Sequence, residues 1–426
     1  MKIEADLIVE RAGQLLTLAP GENANSAEAK LGLTPDGSLA VKGETIVWAG
    51  PDREIGRHIV LSAGGLRLNA RGKVVTPGFV DSHTHPVFAG SRALEFELRI
   101  KGATYQQIAQ AGGGIKSTVE NTRAASKEDL TGLGLRRLEE MLSLGTTTVE
   151  AKSGYGLSVA DEIRMLEVLR DLDRKHPVDI VSTFLGAHEI PPEYAGRKQD
   201  YVQLVIDEMI PEVASRKLAS FCDVFCEEGV FSLEESRRIL EKGAELGLRP
   251  KLHADELTPL GGAELAAEVG AVSADHLLFA SEKGMEMMAE KGVVATLLPG
   301  TAFFLFMGRY APARKMVEKG LAVALATDFN PGSCMTQSLP LITTIACTQM
   351  RMTPAECILG ITRHAARAIG REDTLGSLEP GKQADFLLLD IPDYRHLSYH
   401  FGINHVDRVF KKGREVWKRS TCGQQV

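Results

Sequence analysis

The chain has 426 residues and a mass of 46.1 kDa, with 44% hydrophobic and 25% charged residues. That composition belongs to a folded globular protein long enough for one large barrel with an appendage, and it excludes disorder over the whole length. With 49 basic against 56 acidic residues the net charge is −7, which argues against nucleic acid or an anionic membrane as the main partner.

The N-terminus, MKIEADLIVE, carries charges where a signal peptide needs an apolar run, so a cytoplasmic protein is expected. The first 75 residues read as short strands: ADLIVE, SLAVKG, TIVWAG and LRLNAR, separated by Gly, Pro, Asp and Asn. Eight strand candidates follow. They are VVTPGFVD (74–81), TTTVEAK (146–152), DIVSTFLGAH (179–188), FCDVFCE (221–227), PKLHAD (250–255), AVSADH (271–276), VVATLLP (293–299) and AVALATD (322–328). Amphipathic helices run between several of them. Leu130, Leu133, Leu138, Met141 and Leu142 recur at helical spacing, and Gly145 closes that helix. Ser158-x-x-Asp161, Ser232-x-x-Glu235 and Thr353-Pro-x-Glu356 read as capping boxes. The longest apolar stretch, Val293 to Met307, is broken by Pro299-Gly300 and two threonines, too interrupted to span a bilayer. Strand texture returns in GKQADFLLLD and HVDRVFKKGREVW.

Eight βα units predict an α/β fold, a (β/α)8 TIM-like barrel. A doubly wound sheet is the weaker alternative, because no G-x-G-x-x-G follows the first strand; Gly112-Gly113-Gly114 lies well past it and reads as a turn. The two β-rich ends can pair. The expected division is a small β-sandwich from 1–76 and 376–420, a barrel over 77–375, and a frayed tail at 421–426. Of six cysteines only Cys222 and Cys226 are close, and FCDVFC alternates like a strand. It is no CxxC redox motif, and reduced thiols are expected.

In such a barrel the active site lies at the C-terminal ends of the strands. Of the 11 histidines, His83, His85, His188, His253 and His276 fall at or just after strand ends, and the eighth strand ends in Asp328. His58, His176, His364, His396, His400 and His405 lie elsewhere and receive no chemistry. His83 and His85 form H-x-H, and in an extended segment both point to one side, where two imidazoles can share a metal. His253 adds a third nitrogen and Asp328 an oxygen. Three histidines and a carboxylate suit zinc or iron better than magnesium or calcium, without deciding between the two.

PGFVDSHTHP, the later histidines and the strand-eight aspartate resemble the amidohydrolase superfamily. Within it the chain resembles the imidazolonepropionase family. The motifs are DSHTHPVFAGSRALEFELRIKGATYQQIAQAGGGI (81–115), EAKSGYGL (150–157), FLGAHEIPPEY (184–194), HADEL (253–257), SADHL (273–277) and ATDFNPGSC (326–334), spread over almost the whole chain. The resemblance implies hydrolysis of the ring C–N bond of 4-imidazolone-5-propanoate to N-formimidoyl-L-glutamate, in histidine degradation. It implies one metal ion on His83, His85, His253 and Asp328. Binuclear relatives carry a lysine at the end of strand four; here that strand ends Cys226-Glu227-Glu228. Lys152 ends strand two, with a structural ion pair and a direct role both open.

The resemblance also assigns roles. Asp328 takes the proton of water, Glu256 contacts the ring and shuttles a proton, and His276 polarises the carbonyl or assists the water. Arg92 is the candidate cation for the propionate, with a pair to Glu95 or Glu97 as its alternative. Tyr155 and His188 hydrogen-bond the substrate. Asn330, Gly332 and Ser333 resemble the family's product-contacting loop, and Cys334 stands where a smaller hydroxyl residue is expected. TAFFLFMGRYAP (301–312) is expected in the core, with a site wall or an oligomer contact as alternatives. A small-molecule substrate and a homodimer complete the expectation. The alternative reading is a related heterocyclic base deaminase with the same metal set. A metal-free binding protein is a third, and it predicts missing ligands.

Overall fold

The computed structural model describes residues 2–19, 25–103 and 113–420. The expected tail and part of the 81–115 motif, Gly112 included, lie outside the described residues. Among the described residues sixteen strands form in chain order. They are β1 (Ile3–Leu16), β2 (Leu33–Lys42), β3 (Thr45–Pro51), β4 (Ile59–Asn69), β5 (Val74–Pro77), β6 (Phe79–Thr84), β7 (Thr146–Lys152) and β8 (Asp179–Ala187). Then come β9 (Phe221–Cys226), β10 (Arg249–Ala254), β11 (Ser273–His276), β12 (Val294–Leu297), β13 (Val323–Leu325), β14 (Phe386–Leu389), β15 (Val406–Lys411) and β16 (Arg414–Lys418).

β6 to β13 make one parallel sheet in sequence order. Its two ends meet: Thr84 bridges Phe329 in parallel, Asp328 N–H donates to His83 O at 3.0 Å, and His85 N–H donates to Phe329 O at 2.9 Å. The sheet is therefore a nearly closed barrel. β6 and β7 are buried at every residue, which is why they read as unbroken runs rather than alternations. Helices alternate with the strands. Ser232 and Thr353 start theirs with complete capping boxes. Ser158 does not: its hydroxyl takes the Asp161 N–H, but the shorter Asp161 carboxylate turns back to that hydroxyl and leaves the cap N–H alone.

The two chain ends build the second sheet, in the order β16-β15-β14-β5-β1-β2-β3 with β4 on β1. Antiparallel β14 joins the ends, Leu387 opposite Thr76. Leu15, Leu39, Val75, Phe386 and Phe410 fill its core, with Phe386 stacked on Phe410 at 4.4 Å. The strands here are longer than the sequence suggests. ADLIVE is only the start of 14-residue β1, because an irregularity between Val9 and Ala12, with Arg11 at φ 59°, lets pairing resume.

Contacts divide the chain into two compact units. One takes the residues up to Asp81, Glu139–Thr148 and the chain from Ser338 on. The other takes Ser82–Leu138 and Val149–Gln337, and holds every candidate site residue.

Candidate metal centre

His83 lies in β6, His85 just after it, His253 in β10, and Asp328 after β13. The donor atoms of His83, His85 and His253 lie within 4.8 Å of one another, and so do those of His83, His276 and Asp328. Asp328 Oδ1 is 3.4 Å from His83 Nε2 and 3.5 Å from His85 Nε2. Its other oxygen accepts a hydrogen bond from Thr301 Oγ1 at 2.6 Å. His83 Nε2 is buried without a hydrogen-bond partner, while His83 Nδ1 donates to Asp275 Oδ2 at 2.6 Å. This keeps a proton on Nδ1 and turns Nε2 toward the other donors, the orientation a metal-binding histidine needs. His253 Nδ1 lies 3.1 Å from Asp223 Oδ2. Backbone strain collects here: Asp328 has φ 52°, His276 75° and Leu277 60°, left-handed values rare outside glycine.

Behind the histidines lies a charge network that the sequence reading did not find. Lys152 is fully buried, 2.7 Å from Asp223 Oδ2, 2.8 Å from Glu150 Oε1 and 3.6 Å from Asp275 Oδ2. Lys251 Nζ donates to Ser82 O at 3.2 Å and sits 4.0 Å from Asp275. Of the two roles left open for Lys152, the ion pair is the one present. The signals were an aspartate inside the apolar run FCDVFC and the aspartate within SADHL.

Electrostatics sort the groups. Burial opposes charge on Asp223, but His253 and Lys152 hold it well below the usual carboxylate range. Burial likewise opposes Asp275 and loses to Lys251 and His83. Burial and Lys152 push His83 down, yet the hydrogen bond to Asp275 and the nearby Asp328 carboxylate raise it to about 9 in the metal-free chain, so a metal would take the place of a proton on Nε2. Burial lowers His85 to about 4 and takes His188 and His276 well below the ordinary value. Glu256 is raised to about 8, by burial first and then by the charges of Asp328 and Glu227. Its Oε2 is 3.4 Å from His276 Nε2. Glu227, also unanticipated, pins the loop after Glu256 by accepting from Leu257 N–H at 2.9 Å and from the Thr258 hydroxyl.

The remaining candidates connect to this centre. His188 stacks on His85 at 5.3 Å and donates from Nδ1 to Gly154 O at 2.9 Å. Tyr155, buried, lies 5.4 Å from His188 and 5.8 Å from His85, ring to ring. Gly154 has φ 104°, and a Cβ there would meet His188 Nδ1 at 2.9 Å, so a side chain would displace that ring. Asn330 Nδ2 donates to Asp328 O at 2.7 Å and to Ser333 Oγ at 2.8 Å, while its Oδ1 accepts from Gly332 N–H at 2.8 Å. Cys334 is buried and closes the turn through Asn330 N–H. Arg92 makes the alternative pair: Nε and Nη2 lie 2.8 and 2.7 Å from Glu95 Oε2. The 301–312 segment corrects an expectation. Thr301 and Ala302 are buried, but Phe303, on the outer side of the short helix Pro299–Phe304, is 58% exposed, and Phe306, beyond its end, is 66% exposed.

Among the described residues no helix is long and apolar enough to cross a membrane. The model of the amidohydrolase family matches residues 111–416. The imidazolonepropionase of Geobacillus kaustophilus is 54% identical over 414 residues, covering 96% of this chain and 97% of that protein. That of Brevibacillus brevis is 53% identical over 412 residues, covering 96% and 97%. Among solved structures, a Xanthomonas campestris adenosine deaminase with bound zinc superposes with a TM-score of 0.70 at 19% identity, covering 97% of this chain and 93% of that one. E. coli guanine deaminase gives 0.68 at 17%, covering 97% and 100%. At such identities the deaminases share the fold alone. The half-identical relatives cover nearly the whole chain, and the chain belongs to the imidazolonepropionase family of amidohydrolases.

Proposed function

We propose that the chain hydrolyses 4-imidazolone-5-propanoate to N-formimidoyl-L-glutamate, in histidine degradation, with one zinc or iron ion held by His83, His85, His253 and Asp328. The observation that carries this is the convergence of three histidines and a carboxylate around a buried, unpartnered His83 Nε2. When bound, the metal supplies Lewis-acid charge for the ring carbonyl and for activating water.

The chain's own groups do the rest. Asp328, anchored at Oδ2 by Thr301, keeps Oδ1 available to take a proton from the attacking water. His276 is neutral at working pH and polarises the carbonyl oxygen. Water adds at the carbonyl carbon, the ring C–N bond breaks, and the leaving nitrogen needs a proton. Burial and the charges of Asp328 and Glu227 raise Glu256 to about 8 in the metal-free chain, which suits it to carry a proton to that nitrogen. Tyr155 and His188 line the ring, and the Asn330–Ser333 loop meets the glutamate end of the product.

A cytoplasmic homodimer is part of this reading. None of Cys222, Cys226, Cys334, Cys347 and Cys357 is in a disulfide, which fits a reducing compartment. The test of the reaction is incubation with freshly generated imidazolone propionate and mass identification of the product. Formimidoylglutamate is expected. Ammonia release with the ring left intact would instead indicate a deaminase.

A further inference from the structure

We infer that Arg99 is a second carboxylate-binding residue, acting with Arg92 on the acidic side chain of the substrate. The inference rests on the proposed substrate and starts from what Arg92 has already spent. Its Nε and Nη2 both point at Glu95 Oε2, so the edge that grips a carboxylate with two prongs is occupied. Glu95 is itself fixed, its other oxygen accepting Gly114 N–H at 3.0 Å. What remains to Arg92 is Nη1, which runs against Gly332: a Cβ there would lie 2.1 Å from it.

Arg99 reaches the same residue. Its Nη2 donates to Gly332 O at 2.9 Å, and its guanidinium carbon lies 5.5 Å from the centroid of the Phe304 ring. Its Nη1 is buried with no hydrogen-bond partner among the described residues. Among the described residues, no carboxylate pairs with Arg99; the charges that act on it are those of Arg92 and, more weakly, Glu95. Residues 104–112, TYQQIAQAG, contain no acid to supply one.

The count is two guanidiniums against one carboxylate at a partly buried spot, an excess of one positive charge. Such an excess is costly unless an anion arrives. Gly332 is tied through Asn330 to Asp328, so the excess sits on the loop that begins at the metal carboxylate. The substrate's propionate is the anion that balances it. A neutral heterocycle would leave the charge unpaired, so the same device selects for an acidic side chain.

The test is steady-state kinetics of metal-loaded Arg99→Met and Arg99→Lys with imidazolone propionate and its propionamide. In Arg99→Met, KM for the carboxylate should rise about 10- to 100-fold with metal content unchanged. KM for the amide should stay level, and Arg99→Lys should recover part of the loss. Arg99→Gln, which keeps a donor for Gly332, gives the same comparison if the Met variant does not fold. An equal rise for both substrates would mean that Arg99 merely holds the loop, and it would overturn the proposal. So would a KM for the carboxylate within about twofold of wild type. A wild-type enzyme that turns over neither compound would refute the proposed reaction itself, and this inference with it.

Discussion

His83 can offer Nε2 to a metal because Asp275 holds its other nitrogen at 2.6 Å, and Asp275 in turn lies between two buried lysines. Replacing Asp275 with Asn keeps the shape and removes the charge that orients the ring. Metal affinity should fall about 10- to 100-fold, read by competition with a chromogenic chelator. Unchanged affinity would show that His83 is aimed by something else. At this scale the candidate ligands are legible in the sequence, because a histidine or aspartate at the end of an apolar strand has few other reasons to be there. Asp223, Asp275 and Lys251 were not legible as a group. Each is a charge inside an apolar run, and nothing local says which distant charge neutralises it.

Elements were legible where local chemistry decides them. The helix from Leu233 starts at Ser232, whose hydroxyl accepts Glu235 N–H while the Glu235 carboxylate accepts the Ser232 N–H. Ser232→Ala should cost about 0.5–2 kcal/mol, measured by denaturant unfolding, with catalysis intact. A cost near zero would mean that the pairing of Glu235 with Lys198 alone holds this end. The Ser158 box failed because aspartate is one methylene shorter than glutamate and does not reach the cap N–H. Long β1 was missed because its irregularity at Val9–Ala12 hides the alternation on either side. Helix Pro299–Phe304 misled for another reason. Its apolar residues point both inward and outward, and composition cannot tell one side from the other.

Over the whole molecule, burial of charge sets how stability depends on pH. Asp223, Asp275 and Asp328 all titrate below their ordinary value of 3.8, each held down by histidine, and the first two also by lysine, against the effect of burial. A carboxylate whose folded pKa is depressed stabilises the fold above its unfolded pKa and loses that contribution as pH falls. The metal-stripped protein should therefore lose thermal stability steeply below about pH 4. A flat melting temperature there would show that these acids are not ionised in the fold. Seven of the eight barrel strands, and the order of all of them, were legible from repeated apolar runs; VVTPGFVD is two strands, β5 in the terminal sheet and β6 in the barrel, parted at Gly78. The barrel was expected as well, from eight βα units, but not the main-chain bonds that close it, between His83, His85 and the residues around Asp328, far apart in the chain.

The most direct test of a single metal centre is titration of chelator-stripped protein with zinc or iron while imidazolone propionate turnover is followed. The account predicts no turnover in the stripped protein and a linear rise that breaks at one ion per chain. Turnover without metal, or a break at two ions, would contradict it.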